Sequence, residues 1–389
     1  MRDYYCNRKF FDLKIDLEKQ TTYSCCKALP NLIDLEFLKN NPGAIFNSTE
    51  LQKERQMMLE NKRVKSCENA CWQLEEKGQH SFRLDTNGNL KSHTDIKNNP
   101  EVLDVTLLGE CNLTCTYCCK EFSSAWRQDL LKNGDYTIDE TENRYKLSAY
   151  DIALSKVSQK EKRRLEFIKI LENEIAIQSK NIKAMTITGG EPFLYYNFEN
   201  FIDSVKTIPK IKIITGLGVN FERLKKILNV LKKYPNIELR ISGETTGAFY
   251  EFNRYGNTWS SFVNSIELIR SLQIKYRFLT TYSNLTVLDF VNFNSFFTKE
   301  EKDFNTVSYP DFMKIHVLDD STKYNLIKEI KNSSFSNYQS SNHILNFLQE
   351  EPTAEQKQNL EIFLKEFSKR RAIDLTFLPS SFRKWVNLD

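Results

Sequence analysis

Three cysteines within a stretch of eight residues are the strongest chemical signal in this sequence. They lie in Cys111-Asn-Leu-Thr-Cys115-Thr-Tyr-Cys118, spaced C-x3-C-x2-C, after the apolar run 102–108, which predicts a buried strand. Three thiolates bind three irons of a 4Fe–4S cluster and leave the fourth iron open, whereas electron-transfer clusters normally have four cysteines. The alternative is a structural zinc site, although zinc ligands usually come as two separated pairs.

A second motif follows the predicted strand 183–188 and consists of Gly189, Gly190, Glu191 and Pro192. Glycines after a strand let the backbone approach a ligand closely, and the proline ends the pairing ladder. Taken alone, the motif also fits an ordinary turn. Its position one predicted strand–helix unit after the three cysteines makes the two motifs specific in combination.

Together the two motifs resemble the radical S-adenosylmethionine (radical SAM) superfamily. The resemblance implies that Cys111, Cys115 and Cys118 bind a 4Fe–4S cluster whose open iron chelates the amino and carboxylate groups of SAM. It implies that Glu191 and the Gly-Gly-Glu-Pro backbone meet the SAM amino group, and that Tyr117 lies near the adenine. The implied reaction is reductive cleavage of SAM to methionine and a 5′-deoxyadenosyl radical, which abstracts a hydrogen atom from a substrate.

Most of the other cysteines precede this segment, and a second metal site can draw its four ligands from five of them: Cys6, Cys25, Cys26, Cys67 and Cys71. One interpretation is a structural zinc site. The other is an auxiliary 4Fe–4S cluster with full cysteine ligation. The N-terminal sequence resembles a twitch-type lineage of radical SAM proteins that carries such a segment ahead of the barrel. The C-x3-C pair departs from the usual C-x2-C, so the ligand set, including the choice between Cys25 and Cys26, stays open.

Two further stretches are candidates for binding SAM. Ser242 and Glu244 end a predicted strand, and a hydroxyl and a carboxylate suit ribose hydroxyls. Arg254 resembles the arginine of the twitch lineage and is a candidate for the SAM carboxylate, which a guanidinium binds as a fork of donors. Structural roles for Ser242 and Arg254 are an equal alternative. Glu75 and Arg83 match the lineage pattern and are candidates for substrate contact.

Beyond residue 100 the sequence alternates predicted strands and helices. Such alternation implies parallel strands with right-handed crossovers. Six units match the partial (β/α)6 barrel of the radical SAM superfamily. We therefore expect an α/β fold with an N-terminal cluster-binding subdomain (residues 1–100), a barrel (101–331) and a C-terminal helical cap (332–389). The strands are predicted at residues 102–108, 184–188, 211–215, 237–242, 274–280 and 313–317.

Four other segments carry local predictions. Residues 48–61 have a helical pattern, and residues 85–90 contain Asn-Gly, which indicates a turn. Residues 127–148 are interpreted either as a lid over the substrate or as a disordered insertion. The charge run at residues 159–164 predicts a solvated helical face.

Composition indicates a cytoplasmic enzyme. The net charge of +4 comes from 55 basic and 51 acidic residues, so there is no basic field of the kind that nucleic-acid binding requires. No apolar stretch approaches the ~18 residues of a membrane span, and the N-terminus has no apolar signal region. Nine clustered cysteines without a signal peptide indicate thiols that serve metals.

Two functions stay open at this point. The first is a radical SAM enzyme with a small-molecule, sugar, nucleotide or peptide substrate. Its reaction would be a net oxidation that uses the auxiliary cluster, or that of a peptide-modifying maturase or epimerase. The resemblance implies a one-electron donor such as flavodoxin or ferredoxin. An epimerase needs a hydrogen-atom donor, for which Cys119 is a candidate, although a packed thiol is the commoner role. The second is a non-catalytic iron–sulfur or zinc binding protein.

Overall fold

The computed structural model describes residues 4–25, 27–87, 95–139, 144–156 and 162–389. The chain divides into two compact units. The first unit comprises Met1–Leu108, Ser158–Ile213 and Tyr234–Glu238, and the second comprises Gly109–Val157, Ile214–Lys233 and Leu239–Asp389. The domain boundaries that we expect at residues 100 and 331 stay predictions.

Strands and helices alternate along much of the chain. In the described residues the strands are β1 (Asp12–Asp16), β2 (Thr21–Tyr23), β3 (Asn31–Leu32), β4 (Val102–Thr106), β5 (Thr114–Cys115), β6 (Ala184–Thr188), β7 (Ile211–Thr215), β8 (Ile237–Ser242), β9 (Arg254–Tyr255), β10 (Tyr276–Tyr282) and β11 (Lys302–Thr306). The helices are α1 (Arg8–Phe11), α2 (Leu35–Asn40), α3 (Thr49–Leu59), α4 (Gln73–Glu76), α5 (Phe82–Asn87), α6 (Ser124–Asn133), α7 (Ala149–Lys156), α8 (Lys162–Gln178), α9 (Phe198–Val205), α10 (Phe221–Leu231), α11 (Gly247–Asn253), α12 (Trp259–Ser271), α13 (Phe290–Phe296), α14 (Asp320–Asn332), α15 (Gln339–Phe347), α16 (Ala354–Arg371) and α17 (Ser380–Trp385). None of these described helices combines the length and the apolar character that crossing a membrane requires.

The first unit is built on strands in the order β7-β6-β4-β1-β2-β3. Strand β4 pairs in parallel with β1 on one side and with β6 on the other, so that Val102 lies opposite both Asp12 and Ala184. Its side chains Leu103 and Val105 are fully buried. Strands β2 and β3 continue the sheet in antiparallel pairing. Strand β4, which precedes the three-cysteine segment in the sequence, is therefore an inner strand of the sheet.

In the second unit β8, β10 and β11 pair in parallel, and β5 pairs with β9 in a separate antiparallel ribbon. One core cluster of this unit joins Trp126 of α6 to the C-terminal helices. Trp126 is fully buried, and its ring centroid lies 5.3 Å from Tyr145 and 5.8 Å from Phe367 of α16. This aromatic packing anchors the start of α6, which contacts the cysteines.

The predicted fold class is confirmed, because the chain has a mixed α/β fold with a mainly parallel sheet, consistent with a partial radical SAM barrel. Strands β6, β7 and β8 have the predicted bounds, β4 ends two residues early, and β10 is displaced by two residues. Helix α3 also forms within the segment 48–61, where we predicted a helix.

Two local predictions are wrong. Residues 313–317 do not form a strand. Met313 ends the 3-10 turn Asp311–Met313, and its side chain packs in the core of the second unit together with those of Ile315 and Val317. The apolar character of these residues therefore reflects core packing and not a strand. The last strand is instead β11, a half-buried and mostly polar edge strand. Of the turn predicted at residues 85–90, the first three residues are instead the end of α5, and residues 88–90, which include the glycine of the Asn-Gly signal, lie outside the described part.

The segment 127–148 is packed wherever the structure describes it. Tyr136, Ile138 and Tyr145 are buried in the core of the second unit, while residues 140–143 lie outside the described residues. The described portion is thus not a disordered insertion. Of the charge run 159–164, residues 159–161 lie outside the described part, and α8 begins at Lys162.

The C-terminal helices pack on the second unit as we expect for a cap. His343 of α15 contacts Phe304 of β11, with a ring separation of 5.5 Å. This contact places α15 beside β11, which is an edge strand of the sheet.

We predict that Glu174→Ala destabilises the first unit. The buried Glu174 carboxylate of α8 accepts hydrogen bonds from the backbone N–H groups of Gly43 (2.7 Å) and Ile45 (3.2 Å). Its loss leaves two donors unpaired, so the free energy of unfolding should fall by about 2–3 kcal/mol in urea denaturation followed by circular dichroism. The control Glu166→Ala removes an exposed carboxylate of the same helix and should cost less than about 0.5 kcal/mol. Equal effects of the two changes would contradict this role.

Candidate functional site

The three-cysteine segment is fixed on one side by the strand ribbon of the second unit. In the pairing of β5 with β9, Cys115 lies opposite Arg254. The next residue, Thr116, donates its backbone N–H to the carbonyl of Asn253 (3.0 Å) and its hydroxyl to the Asn253 Oδ1 (2.8 Å). Backbone and side chain therefore hold the middle of the segment in one register.

The start of α6 holds the segment from the other side. Trp126 donates its indole N–H to the Cys115 carbonyl at 3.0 Å. The Ser124 hydroxyl accepts from the Cys111 N–H and donates to the Cys111 carbonyl, both at 3.0 Å. Ser123, the N-cap of α6, donates to the Leu113 carbonyl at 2.7 Å. The cysteines are thus supported by a helix whose own position is fixed by buried aromatic rings.

The three thiols lie close enough together to influence one another. Cys115 is buried, while Cys111 and Cys118 are partly exposed. Burial raises the pKa of Cys118 well above its usual range, and the nearby Cys115 and Cys111 raise it further. Within the described residues no three His, Cys, Asp or Glu side chains converge as the ligands of a single metal ion do. In a 4Fe–4S cluster each cysteine binds a different iron, so this donor set fits such a cluster.

A buried ion pair lies directly beside the cysteines. Glu244 and Arg254, which are 0% and 4% exposed, pair at 2.8 Å. The Tyr117 hydroxyl donates to the second Glu244 oxygen at 3.0 Å and accepts from Arg254. The Arg254 Nη1 lies 3.8 Å from the Cys115 sulfur, and its Nε is buried with no hydrogen-bond partner among the described residues. The structure therefore brings three predicted SAM-binding residues together with one cluster ligand.

The charges of this group oppose the effect of burial. Burial alone would lower the pKa of Arg254, but Glu244, Tyr117 and Cys115 outweigh it and hold the pKa well above its ordinary value. Burial raises the pKa of the Cys115 thiol, and the adjacent Arg254 guanidinium counteracts that rise. Because iron binds the thiolate, a permanent cation at this position favours the ligating form of the cysteine.

The remaining candidates for SAM binding occupy two places in the chain. Ser242 ends β8 in the second unit, two residues before Glu244. In the first unit, Gly190 donates its N–H to the Leu108 carbonyl at 3.2 Å, and a Cβ on Gly189 would lie 3.2 Å from the same oxygen. This close approach restricts the first position of the motif to glycine. The turn ends with the buried Glu191 and with Pro192, which begins the 3-10 turn Pro192–Leu194.

Four cysteines of the first unit line a single cavity: Cys6, Cys25, Cys67 and Cys71. All four are buried, and no disulfide joins the cysteines that the structure describes. Burial raises the pKa of Cys6 to about 11, with a further contribution from Cys67. Four thiols in one cavity fit full cysteine ligation of a cluster, in which each thiolate binds a different iron, better than they fit a single zinc ion, because among the described residues they do not converge on one point. The fifth candidate, Cys26, lies outside the described residues.

Basic side chains surround this cavity. The ammonium group of the buried Lys9 donates to Glu54 (2.5 Å) and to Ser66 (2.7 Å) and counteracts the rise in the pKa of Cys67 that burial causes. Arg83, a predicted substrate contact, also lines the cavity and forms an ion pair with Glu75 at 2.5 Å. Our sequence analysis did not predict that Lys9 lies beside these cysteines. Its position three residues after Cys6 is the signal that could have indicated it.

Cys119 is a packed thiol. It is fully buried, and burial raises the pKa of its thiol. This burial fits the packed role, which is the commoner of the two that the sequence left open for the residue after the predicted cluster ligand Cys118.

Comparison with known protein families gives a match for the middle of the chain. Residues 105–297 match the family model described as the Radical SAM superfamily. These residues belong to the radical SAM superfamily. Membership implies a 4Fe–4S cluster and SAM as cofactors, and the three thiols of the second unit fit the cluster. No curated protein matches the sequence.

Several solved structures resemble the chain at low identity. One is anSMEcpe with bound AdoMet, at 15% identity over 59% of each chain with a TM-score of 0.39. A second is SuiB from Streptococcus suis, at 15% identity over 78% of this chain and 63% of that chain with a TM-score of 0.37; another structure shows SuiB bound to the precursor peptide SuiA. A third is TYW1 with a lysine-pyruvate adduct bound, at 18% identity over 61% of this chain and 72% of that chain with a TM-score of 0.32. The matched part thus spans 59% of the anSMEcpe chain.

We predict that Glu244→Ala strongly destabilises the protein. The change leaves the buried Arg254 guanidinium without its counter-charge, and removing one partner of a buried pair costs about 3–5 kcal/mol. The control Glu267→Ala breaks the exposed pair with Arg270 and should cost less than about 1 kcal/mol. Chemical denaturation before cluster reconstitution measures both. A loss of stability in Glu244→Ala no larger than in the control would show that Arg254 does not depend on Glu244.

Proposed function

We propose that this chain is an enzyme that reductively cleaves SAM and abstracts a hydrogen atom from an organic substrate. The observation that carries the proposal is the grouping of Cys111, Cys115 and Cys118 on one doubly anchored segment within residues 105–297. When bound, the cluster and SAM supply the electron transfer and the radical chemistry. The protein supplies thiolate ligands, orientation and exclusion of water.

In this proposal the buried ion pair positions both a cluster ligand and SAM. Arg254 contacts the Cys115 sulfur through one nitrogen, and its buried Nε is a donor for the SAM carboxylate. Tyr117 lies near the adenine of SAM, and the Ser242 hydroxyl binds the ribose hydroxyls. Both Glu244 oxygens already accept hydrogen bonds, so any contact with ribose hydroxyls uses the remaining lone pairs.

We propose the glycine turn of the first unit as a further SAM contact. Its backbone, from Gly189 to Pro192, meets the SAM amino group together with Glu191. What supports this role is a turn too tight for a Cβ at Gly189, followed by a buried carboxylate.

We also propose that Cys6, Cys25, Cys67 and Cys71 hold a second 4Fe–4S cluster. Four buried thiols line one cavity, and the Lys9 cation counteracts the burial that disfavours the thiolate of Cys67. A second cluster would accept an electron from a substrate radical in a net oxidation. The competing interpretation is zinc, which brings no inorganic sulfide.

For the substrate we retain two classes, an organic small molecule that is oxidised and a peptide side chain that is modified. An epimerase with Cys119 as its hydrogen donor has less support, because this thiol is fully buried. The two classes separate in one assay. Incubation with SAM and deuterated candidate substrates transfers deuterium into 5′-deoxyadenosine only from the true substrate.

We predict that Cys115→Ala removes the SAM-binding cluster and spares the second one. Iron should fall from about eight to about four per chain after anaerobic reconstitution, because each cluster contains four irons. SAM cleavage, measured as 5′-deoxyadenosine, should disappear. The matched control Cys119→Ala removes a neighbouring buried thiol and should keep the full iron content. Full iron and SAM cleavage in Cys115→Ala would refute the assignment.

We predict the reverse pattern for Cys67→Ala. Iron should again fall to about four per chain, while SAM cleavage continues and substrate turnover is lost. Assays of iron, zinc and acid-labile sulfide on the same sample identify the metal. Zinc in the unchanged protein that disappears in Cys67→Ala, with iron unaffected, would replace the second cluster by a zinc site.

A further inference from the structure

The three-cysteine segment reaches the protein surface at one end. Cys115 and Cys119 are buried, whereas Asn112 is exposed and follows the partly exposed Cys111. Electron transfer through protein weakens steeply with distance. The surface at Asn112 therefore offers a short route for an electron between solvent and this segment.

Asn112 lines a cleft with a volume of about 670 Å³ in the second unit. The loop before α10 and the loop before α12 form the walls of the cleft, and both lie close to Asn112 of the three-cysteine segment. A Cβ on Gly218 would lie 2.9 Å from the Asn112 Oδ1, and a Cβ on Gly256 would lie 2.6 Å from the Asn112 carbonyl. The cysteine segment is thus part of the cleft itself.

The cleft offers a polar surface with two exposed aromatic rings and a single charged side chain. Phe221 and Tyr255 are 47% and 37% exposed. The carboxylate in the lining, Glu251, accepts the backbone N–H of Trp259 at 3.0 Å. Protein–protein contacts are enriched in aromatic side chains and depleted of charge at their centre. The other polar lining residues include Asn220, Asn257, Thr258, Ser261 and Asn264.

One wall of the cleft continues into a basic helix face. Helix α10 begins at the cleft with Phe221 and buries Leu224, Ile227, Leu228 and Leu231. Its opposite, exposed side and the two residues that follow the helix carry four lysines at helical spacing, against one acidic residue, Glu222. The four lysines are Lys225, Lys226, Lys232 and Lys233. A one-sided row of lysines attracts an acidic partner over a distance and raises its association rate.

We propose that this cleft and the lysine face of α10 dock a small acidic one-electron carrier protein. The proposal rests on the proposed function, since the carrier would reduce the cluster on Cys111, Cys115 and Cys118. One electron leaves the carrier, and the cluster gains it. No bond forms or breaks, and no proton moves. Exposed aromatics beside a basic row suit a small transient interface, which for redox partners buries less than about 1,200 Å².

The test uses an acidic flavodoxin as the probe and two double charge reversals. Lys225→Glu/Lys226→Glu alters the proposed surface, and Lys328→Glu/Lys331→Glu alters exposed positions of α14 by the same charge. We expect calorimetric titration of the unreconstituted protein to show affinity that weakens as salt rises. The first variant should weaken binding at least about tenfold, and the second should bind like the unchanged protein.

A second readout separates this proposal from the proposed function. In the α10 variant, 5′-deoxyadenosine formation driven by reduced flavodoxin should fall, while formation driven by dithionite should stay unchanged. No product with dithionite in the unchanged protein would refute the proposed function itself. Product with dithionite, together with equal flavodoxin binding by both variants, would overturn the docking surface alone. A change of oligomeric state in the α10 variant would also overturn it, because the face would then bind a second copy.

Discussion

One buried guanidinium organises the chemistry of the second unit. Arg254 lies opposite Cys115 in the β5–β9 ribbon, and its charge is balanced by the fully buried Glu244. An unbalanced charge at this depth would cost several kcal/mol, so the pair and the ribbon register depend on each other. Because Arg254 also contacts the Cys115 sulfur, the position of this proposed cluster ligand follows from the same constraint.

The three cysteines of residues 111–118 and the four cysteines that line the cavity of the first unit differ in how nearby charges offset the burial of their thiols. Burial raises the pKa of thiols in both groups, which disfavours metal binding. The three-cysteine segment counters this with Arg254 and keeps Cys111 and Cys118 partly exposed. The cavity of the first unit encloses four buried cysteines and counters burial with Lys9.

The sequence predicted the strands that consist mainly of apolar residues and missed the short or mostly polar ones. Strand β7 is apolar at Ile211 and Ile213 because it lies inside a sheet, so its bounds were predictable. Strand β11 is a mostly polar edge strand, and the apolar residues 313–317 drew the prediction away from it. Strand β1 was missed because its two apolar residues, Leu13 and Ile15, alternate with three charged ones and form no apolar run.

The part of the candidate site that could be predicted from the sequence is the set of cysteines, because cluster ligands recur at a characteristic spacing along the chain. Thiols that share one cluster must be near in space, and C-x3-C-x2-C brings three together within a single segment. The partners of Arg254 could not be predicted, because its contact with Cys115 depends on a two-residue antiparallel pairing across 139 positions. The support from Trp126 and Asn253 depends on the same tertiary packing.

The most direct test of the account is a single experiment on the unchanged full chain. The protein is reconstituted anaerobically with iron and sulfide, reduced with dithionite and given SAM, and 5′-deoxyadenosine is measured beside iron and sulfide. The account predicts 5′-deoxyadenosine together with about eight irons and about eight sulfides per chain, as two 4Fe–4S clusters require. Bound zinc without sulfide, and no 5′-deoxyadenosine, would contradict it.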